Sequence, residues 1–172
     1  MSLRSRTAGA VLALAVPFAL AGVPAGTAPV PDVDPFMRTD LTPTYTATAD
    51  YRYEPFAITD GYTRTDACDA QAGQGGAGHH YVRSADVGSL DPAEPAGLLY
   101  ETDTGGNRAL VAVEWIVPAG SGSTAPTLFG QTFQGPTTVP GVMGAVYTLH
   151  AWIWKDNPSG LFARWNPTVK CP

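Results

Sequence analysis

The chain holds three histidines, His79, His80 and His150, and each falls inside a strand-like run of apolar residues. Imidazole nitrogens suit transition metals, so histidines this scarce direct attention to acids in similar surroundings. Glu114 is such an acid, set within the apolar run from Leu110 to Val117. Side chains alternate along a strand, which groups Glu114 with Leu110, Ala112 and Ile116 and sends Val111, Val113, Trp115 and Val117 to the other face. A lone carboxylate among hydrophobes costs several kcal/mol, so Glu114 is expected to be protonated, paired with a cation or coordinating a metal. His150 alternates in the same way with Thr148, Trp152 and Trp154, against Leu149, Ala151 and Ile153.

If the strands carrying these residues neighbour one another, His80, Glu114 and His150 converge as two imidazoles and a carboxylate. That set suits one divalent transition metal ion, Zn, Cu, Fe or Mn. The competing reading of the same trio is a buried polar network, with both histidines hydrogen-bonded to Glu114, that holds strand register. The ligands come from three separate strands, and neither an HExxH spacing nor the cupin arrangement of HxH followed closely by Glu is present. Tyr81, Trp152 and Trp154 are expected to wall the pocket. Trp165 and Phe162 extend that aromatic concentration, which reads equally as core. His79, facing away from His80, is expected at the surface. No Ser-His-Asp arrangement, GxSxG elbow or glycine-rich phosphate loop is evident, so hydrolase and nucleotide readings lack support and no catalytic residue is named.

The elements that must position the trio read as mainly β. Residues 78–82, 98–102, 110–117 and 146–154 are the strand candidates, the second and third joined as a hairpin through the turn 103–107. The last is the longest β-branched and aromatic run, expected as a central strand. Thr42-Pro43 supplies a capping residue and a proline for the start of a helix. Tyr45, Ala49, Tyr53 and Phe56 follow at helical spacing toward Asp60-Gly61. Pro55 conflicts with an unbroken helix, which must kink or end near Glu54. Residues 69–78, rich in Gln, Ala and Gly, read as a flexible loop. Irregular stretches over 118–126 and 130–140 offer recognition loops.

Residues 1–25 read as a signal peptide: Arg4 and Arg6 precede an apolar run from Ala10 to Val23 that is too short to span a bilayer. Residues 26–41 read as an extended arm, and 42–172 as a single domain. Loss of the leader takes the formal charge from −5 to −7, since no acid precedes Asp32. An acidic surface argues against nucleic acid as a partner, and no membrane anchor is implied. A small-molecule or protein partner is left unspecified. Cys68 and Cys171 are the two cysteines of an exported chain and allow one intramolecular pairing, worth roughly 4–5 kcal/mol for a loop of about 100 residues. Thiols on a metal or bridges between chains are the alternatives, without a CxxC pair to support them.

These segments together resemble a family of uncharacterised secreted bacterial proteins, many of whose members carry no assigned activity. The residues that carry the resemblance are Ala47-Thr48, Tyr51-Arg52, Asp60-Gly61-Tyr62, Cys68, Gly78-x-His80-Tyr81-Val82 and Val113-Glu114. The most specific part is the C-terminal run Leu149-His150-Ala151-Trp152-x-Trp154-Lys155-Asp156-Asn157-Pro158-Ser159-Gly160-x-Phe162-x-x-Trp165-Asn166-Pro167-x-Val169-x-Cys171. Where the family opens its first strand with Met-Gly-Tyr-His-Tyr, this chain has Ala77-Gly78-His79-His80-Tyr81, so His80 matches and Ala77 and His79 depart. The resemblance implies that His80, Glu114, His150 and the two cysteines belong to one design, and it brings no reaction with it. The expected architecture is a mainly β (α+β) single domain, an antiparallel sheet curled into a small or half-open barrel with one N-terminal helix. Two functions follow: a secreted metal-binding protein or metalloenzyme, or a non-enzymatic secreted binding module in which the trio is structural.

Overall fold

A computed structural model describes residues 40–171. The expected signal peptide and nearly all of the expected arm lie outside these residues. Six antiparallel strands form one sheet in the order β1-β2-β3-β4-β8-β7. They are β1 (Thr63–Gln71), β2 (Gly75–Val82), β3 (Gly97–Thr102), β4 (Arg108–Pro118), β7 (Gln134–Thr137) and β8 (Val146–Ala151). The sheet curls into a half-barrel, the mainly β single domain expected. A separate two-stranded ribbon pairs β5 (Thr127–Leu128) with β6 (Gln131–Thr132).

The helical segment before the sheet is α1 (Thr42–Thr48) continued by a 3-10 turn (Ala49–Arg52), and then α2 (Glu54–Thr59). The break falls at Tyr53, where Pro55 forces it, and the proline sits in the first turn of α2, where it loses no hydrogen bond. The helix faces differ from the spacing read in the sequence. Ala49, Tyr53 and Phe56 are exposed, and Leu41, Thr44, Thr48, Tyr51 and Ala57 are buried. Threonine can turn inward because its hydroxyl finds a carbonyl: Thr48 donates to Thr44 O at 2.8 Å and Thr44 to Pro92 O at 2.7 Å.

The stretch 69–78, expected as a flexible loop, is largely strand. Only residues 72–74 form the turn between β1 and β2. Gly75, Gly76 and Gly78 serve close approach, and Gly73 takes a positive φ in the turn. A Cβ at Gly75 would lie 2.2 Å from Asn166 O and one at Gly78 2.6 Å from Tyr100 O. β1 escapes a sequence reading because it is a polar edge strand, and its pairing with β2 supplies what its own pattern does not. Cys68 and Cys171 are joined with Cα atoms 5.6 Å apart, tying that edge to the C-terminus.

Two further corrections concern alternation. The register steps from Leu99↔Ala112 to Tyr100↔Leu110, leaving Val111 as an extra residue in β4. Leu110 therefore packs with Trp115 and Tyr100 rather than beside Glu114, and Val111 joins Leu99 and Ala112. β8 ends at Ala151 instead of continuing to Trp154, so Trp152 and Trp154 no longer share a face.

Candidate metal centre

Strand register builds the site. Val82, Gly97, Glu114 and His150 stand side by side across β2, β3, β4 and β8, and His80, Leu99 and Ala112 form the neighbouring row. His150 is thus directly opposite Glu114, and His80 lies two strands away and one row along. The gap over β3 closes because residue 97 is glycine: a Cβ there would meet Glu114 Cβ at 3.1 Å and Glu114 Oε2 at 3.2 Å. The carboxylate occupies the space of the missing side chain.

His80 Nε2 lies 3.4 Å from Glu114 Oε2, and His150 Nε2 lies 3.5 Å from Glu114 Oε1. One donor atom from each of the three lies within 4.8 Å of the others, and all three residues are buried. Two atoms each bound to one ion at zinc-like lengths and a tetrahedral angle sit about 3.4 Å apart, so both contacts have the length of a coordination edge. Neither is a hydrogen bond. Glu114 Oε2, His80 Nδ1, both nitrogens of His150 and the hydroxyl of Thr148 are buried and lack a partner in full hydrogen-bond geometry, although the Thr148 hydroxyl is near enough to Glu114, and the Gly78 backbone to His80, to shift their protonation. Thr148 follows His150 in alternation on β8 and lies opposite Ile116. Apolar clusters flank the trio, with Leu99, Ala112 and Trp152 on one side and Val82, Ile116 and Val146 on the other.

Burial sets the charge state. Desolvation pushes the Glu114 carboxyl up to about 8, with Arg164 and the Thr148 hydroxyl opposing the rise and Asp69 adding to it. Desolvation lowers His80 to about 4 and His150 to about 3, and the positive field of Arg164 acts in the same direction on both. At neutral pH both imidazoles are uncharged with lone pairs to offer, and Glu114 holds a proton that an incoming cation must displace.

The C-terminal segment packs on this face. The Trp152 indole donates to Ala163 O at 2.6 Å, Val169 and Trp165 pack with Leu99 and Ala112, and Asn166 bridges to Gly76. Two asparagines hold the segment in shape reciprocally. Asn157 Nδ2 donates to Trp165 O while its oxygen accepts from Ser159 N; Asn166 Nδ2 donates to Asp156 O while its oxygen accepts from Thr168 N. Each side chain closes its own turn and clasps the residue before the other.

His80, Glu114 and His150 come together as the sequence suggested. The expected pocket wall divides. Trp152 lies on the face of the trio, whereas Tyr81 points to the opposite face and donates to Glu54 Oε1. Trp154 packs edge-on against Tyr45 and donates to Thr48 Oγ1, also away from the trio. His79 is buried rather than exposed, with Nε2 3.3 Å from Thr102 Oγ1. The sequence reading missed Gly97, Thr148 and Arg164. A glycine inside an apolar strand is a signal of close approach, but nothing local marks the other two. No family model, curated protein or solved structure matches the chain.

Proposed function

We propose that the protein is a secreted metal-binding protein that holds one divalent transition metal ion through His80, Glu114 and His150. The observation that carries this reading is the meeting of three buried ionisable side chains at 3.4 and 3.5 Å with no hydrogen bond among them. A network kept for strand register would close with hydrogen bonds, because each unsatisfied buried group costs about 1–3 kcal/mol. Here the donor atoms share a point rather than pair. Two neutral nitrogens and one carboxylate oxygen suit Zn, Fe, Mn or Cu. Three protein ligands leave a tetrahedral ion one position for water or a substrate, and there the metal would supply Lewis-acid activation. The chain's own part is to exclude bulk water with Trp152 and the C-terminal segment and to hold the carboxylate over Gly97.

The secreted setting is supported by the leader-like residues 1–25, by the disulfide and by the resemblance of the C-terminal run to a family of secreted bacterial proteins. Among the described residues no helix is long and apolar enough to cross a membrane.

The test is elemental analysis of untagged protein purified from an oxidising compartment without chelator, beside His80→Ala/His150→Ala. Near-stoichiometric metal in the wild type and none in the folded variant is the expected result. Wild-type protein that stays metal-free after exposure to Zn, Cu, Fe(II) and Mn, or a folded variant that keeps its metal, overturns the proposal.

A further inference from the structure

On the opposite face of the sheet a cavity of about 380 Å³ opens between the helical segment and the β3–β4 turn, lined in part by Arg52, Arg64 and Arg108 with Glu54. The chain as a whole carries −5, yet this lining carries three guanidiniums against one carboxylate. The arginines come from three elements, the 3-10 turn, β1 and β4, so no local sequence cluster accounts for their meeting.

The acids nearby are already committed. Glu54 accepts from the Tyr81 hydroxyl and lies 3.9 Å from Arg64. Asp66, 3.3 Å from Arg64, is 93% exposed and stands outside the lining. Glu101, in the adjoining depression that Arg52 and Arg108 also border, is held by Lys155 at 2.6 and 2.8 Å. Arg52 and Arg108 are positioned by neutral partners instead. Arg52 lies 5.5 Å over the Trp154 ring, and Arg108 donates to Thr102 Oγ1. A stacked or singly bonded guanidinium keeps most of its five donors for another acceptor, in a planar fork that matches oxyanions two bonds at a time.

We propose that this cavity binds a small multivalent oxyanion, a phosphate, sulfate or polycarboxylate group, with Arg52, Arg64 and Arg108 as its ligands. The excess of two positive charges on the lining favours a dianion over chloride, and a phosphate or a tricarboxylate fits the volume with room for a modest attached group. Arg52 and Arg64 are exposed, and Arg108 lies within reach of the Tyr81 hydroxyl. The site is independent of the metal centre, on the other side of the sheet.

The test is calorimetric titration of the full folded protein with inorganic phosphate and, separately, with citrate in low-chloride buffer. Saturable one-to-one binding of either anion is expected, at least tenfold weaker in Arg108→Gln and lost in Arg52→Gln/Arg64→Gln, two exposed residues, with the fold of each variant checked by circular dichroism. Glu54→Gln keeps an acceptor for Tyr81 but removes the one negative charge of the lining, and it is expected to tighten binding severalfold. Arg164→Gln, on the metal-site face, is expected to leave it unchanged. The tighter of the two anions identifies phosphate-type or carboxylate-type chemistry. No saturable binding of either, weaker binding in Glu54→Gln, or an equal loss in Arg164→Gln overturns the proposal.

Discussion

The two faces of one sheet treat buried polar atoms in opposite ways. On the helix-covered face, Tyr100 donates to Tyr51 O, Tyr62 to Pro95 O, Tyr81 to Glu54 and the Trp115 indole to Asp91 O. The exception there is Nδ1 of His79, whose other nitrogen has Thr102. On the other face, His80, Glu114, Thr148 and His150 bring five buried polar atoms to one place with no partner. The strands are the same and the burial is the same, so neither local propensity nor depth explains the contrast. Polar groups that serve packing are satisfied by packing, because an orphaned donor or acceptor costs stability. A cluster left unsatisfied within a few ångströms of such care is what supports the proposed metal site.

The largest way to separate the faces is to remove a side chain that belongs to one of them alone. Trp115→Ala empties the helix-covered core and is expected to cost about 3–5 kcal/mol in urea unfolding. Its folded fraction should still bind metal one to one. Loss of metal at unchanged fold would show that the two faces are not separable.

A smaller effect comes from the proton on Glu114. Metal and proton compete for this carboxylate, so affinity is expected to rise about tenfold per pH unit up to about 8 and then level. His80 and His150, lowered to about 4 and about 3, add no slope above about pH 5. The same shift acts on folding without metal. The unfolded chain releases this proton above its ordinary 4.5 and the folded chain keeps it to about 8, so Glu114 lowers stability as pH rises, while His80 and His150, protonated below about 6.5 only in the unfolded chain, act oppositely there and leave the Glu114 fall exposed between about pH 7 and 8. Glu114→Gln should remove both dependences above about pH 7, where the histidines no longer titrate in either state, measured by metal titration and by urea unfolding from pH 7 to 9. A slope that survives in Glu114→Gln would assign it to another group.

The smallest effect tests the geometry alone. Gly97→Ala places a methyl 3.1 Å from Glu114 Cβ and 3.2 Å from Oε2. An overpacked site of this kind costs about 1–3 kcal/mol, and here it should appear as roughly tenfold weaker metal binding with the Tyr100 and Tyr62 hydrogen bonds undisturbed. Equal loss of stability on both faces would mean that Gly97 serves the sheet rather than the carboxylate.

Much of this was legible residue by residue. The apolar runs that became β2, β3, β4 and β8 carry their own periodicity, the turn at 103–107 carries its chemistry in Asp103, whose carboxylate accepts from Gly105 N and Asn107 N, and two cysteines admit one intramolecular pairing. The anomaly of Glu114 was readable because a carboxylate in an apolar strand demands a partner whatever the fold. What stayed hidden was whatever depends on pairing. β1 is polar and becomes a strand by bonding to β2. The extra residue at Val111 reverses the alternation for Leu110, and the early end of β8 sends Trp154 to the helices.

The sequence by itself therefore determined the strand-rich class and the three residue types that a metal would need, since composition and local periodicity act within a few residues. Tertiary structure alone decided that His80 reaches Glu114 across β3, that Gly97 clears its path, and that Arg52, Arg64 and Arg108 share one cavity. Those facts depend on register and on which strand lies beside which. A one-residue slip turns every side chain to the other face, so no stretch of chain read in isolation contains them.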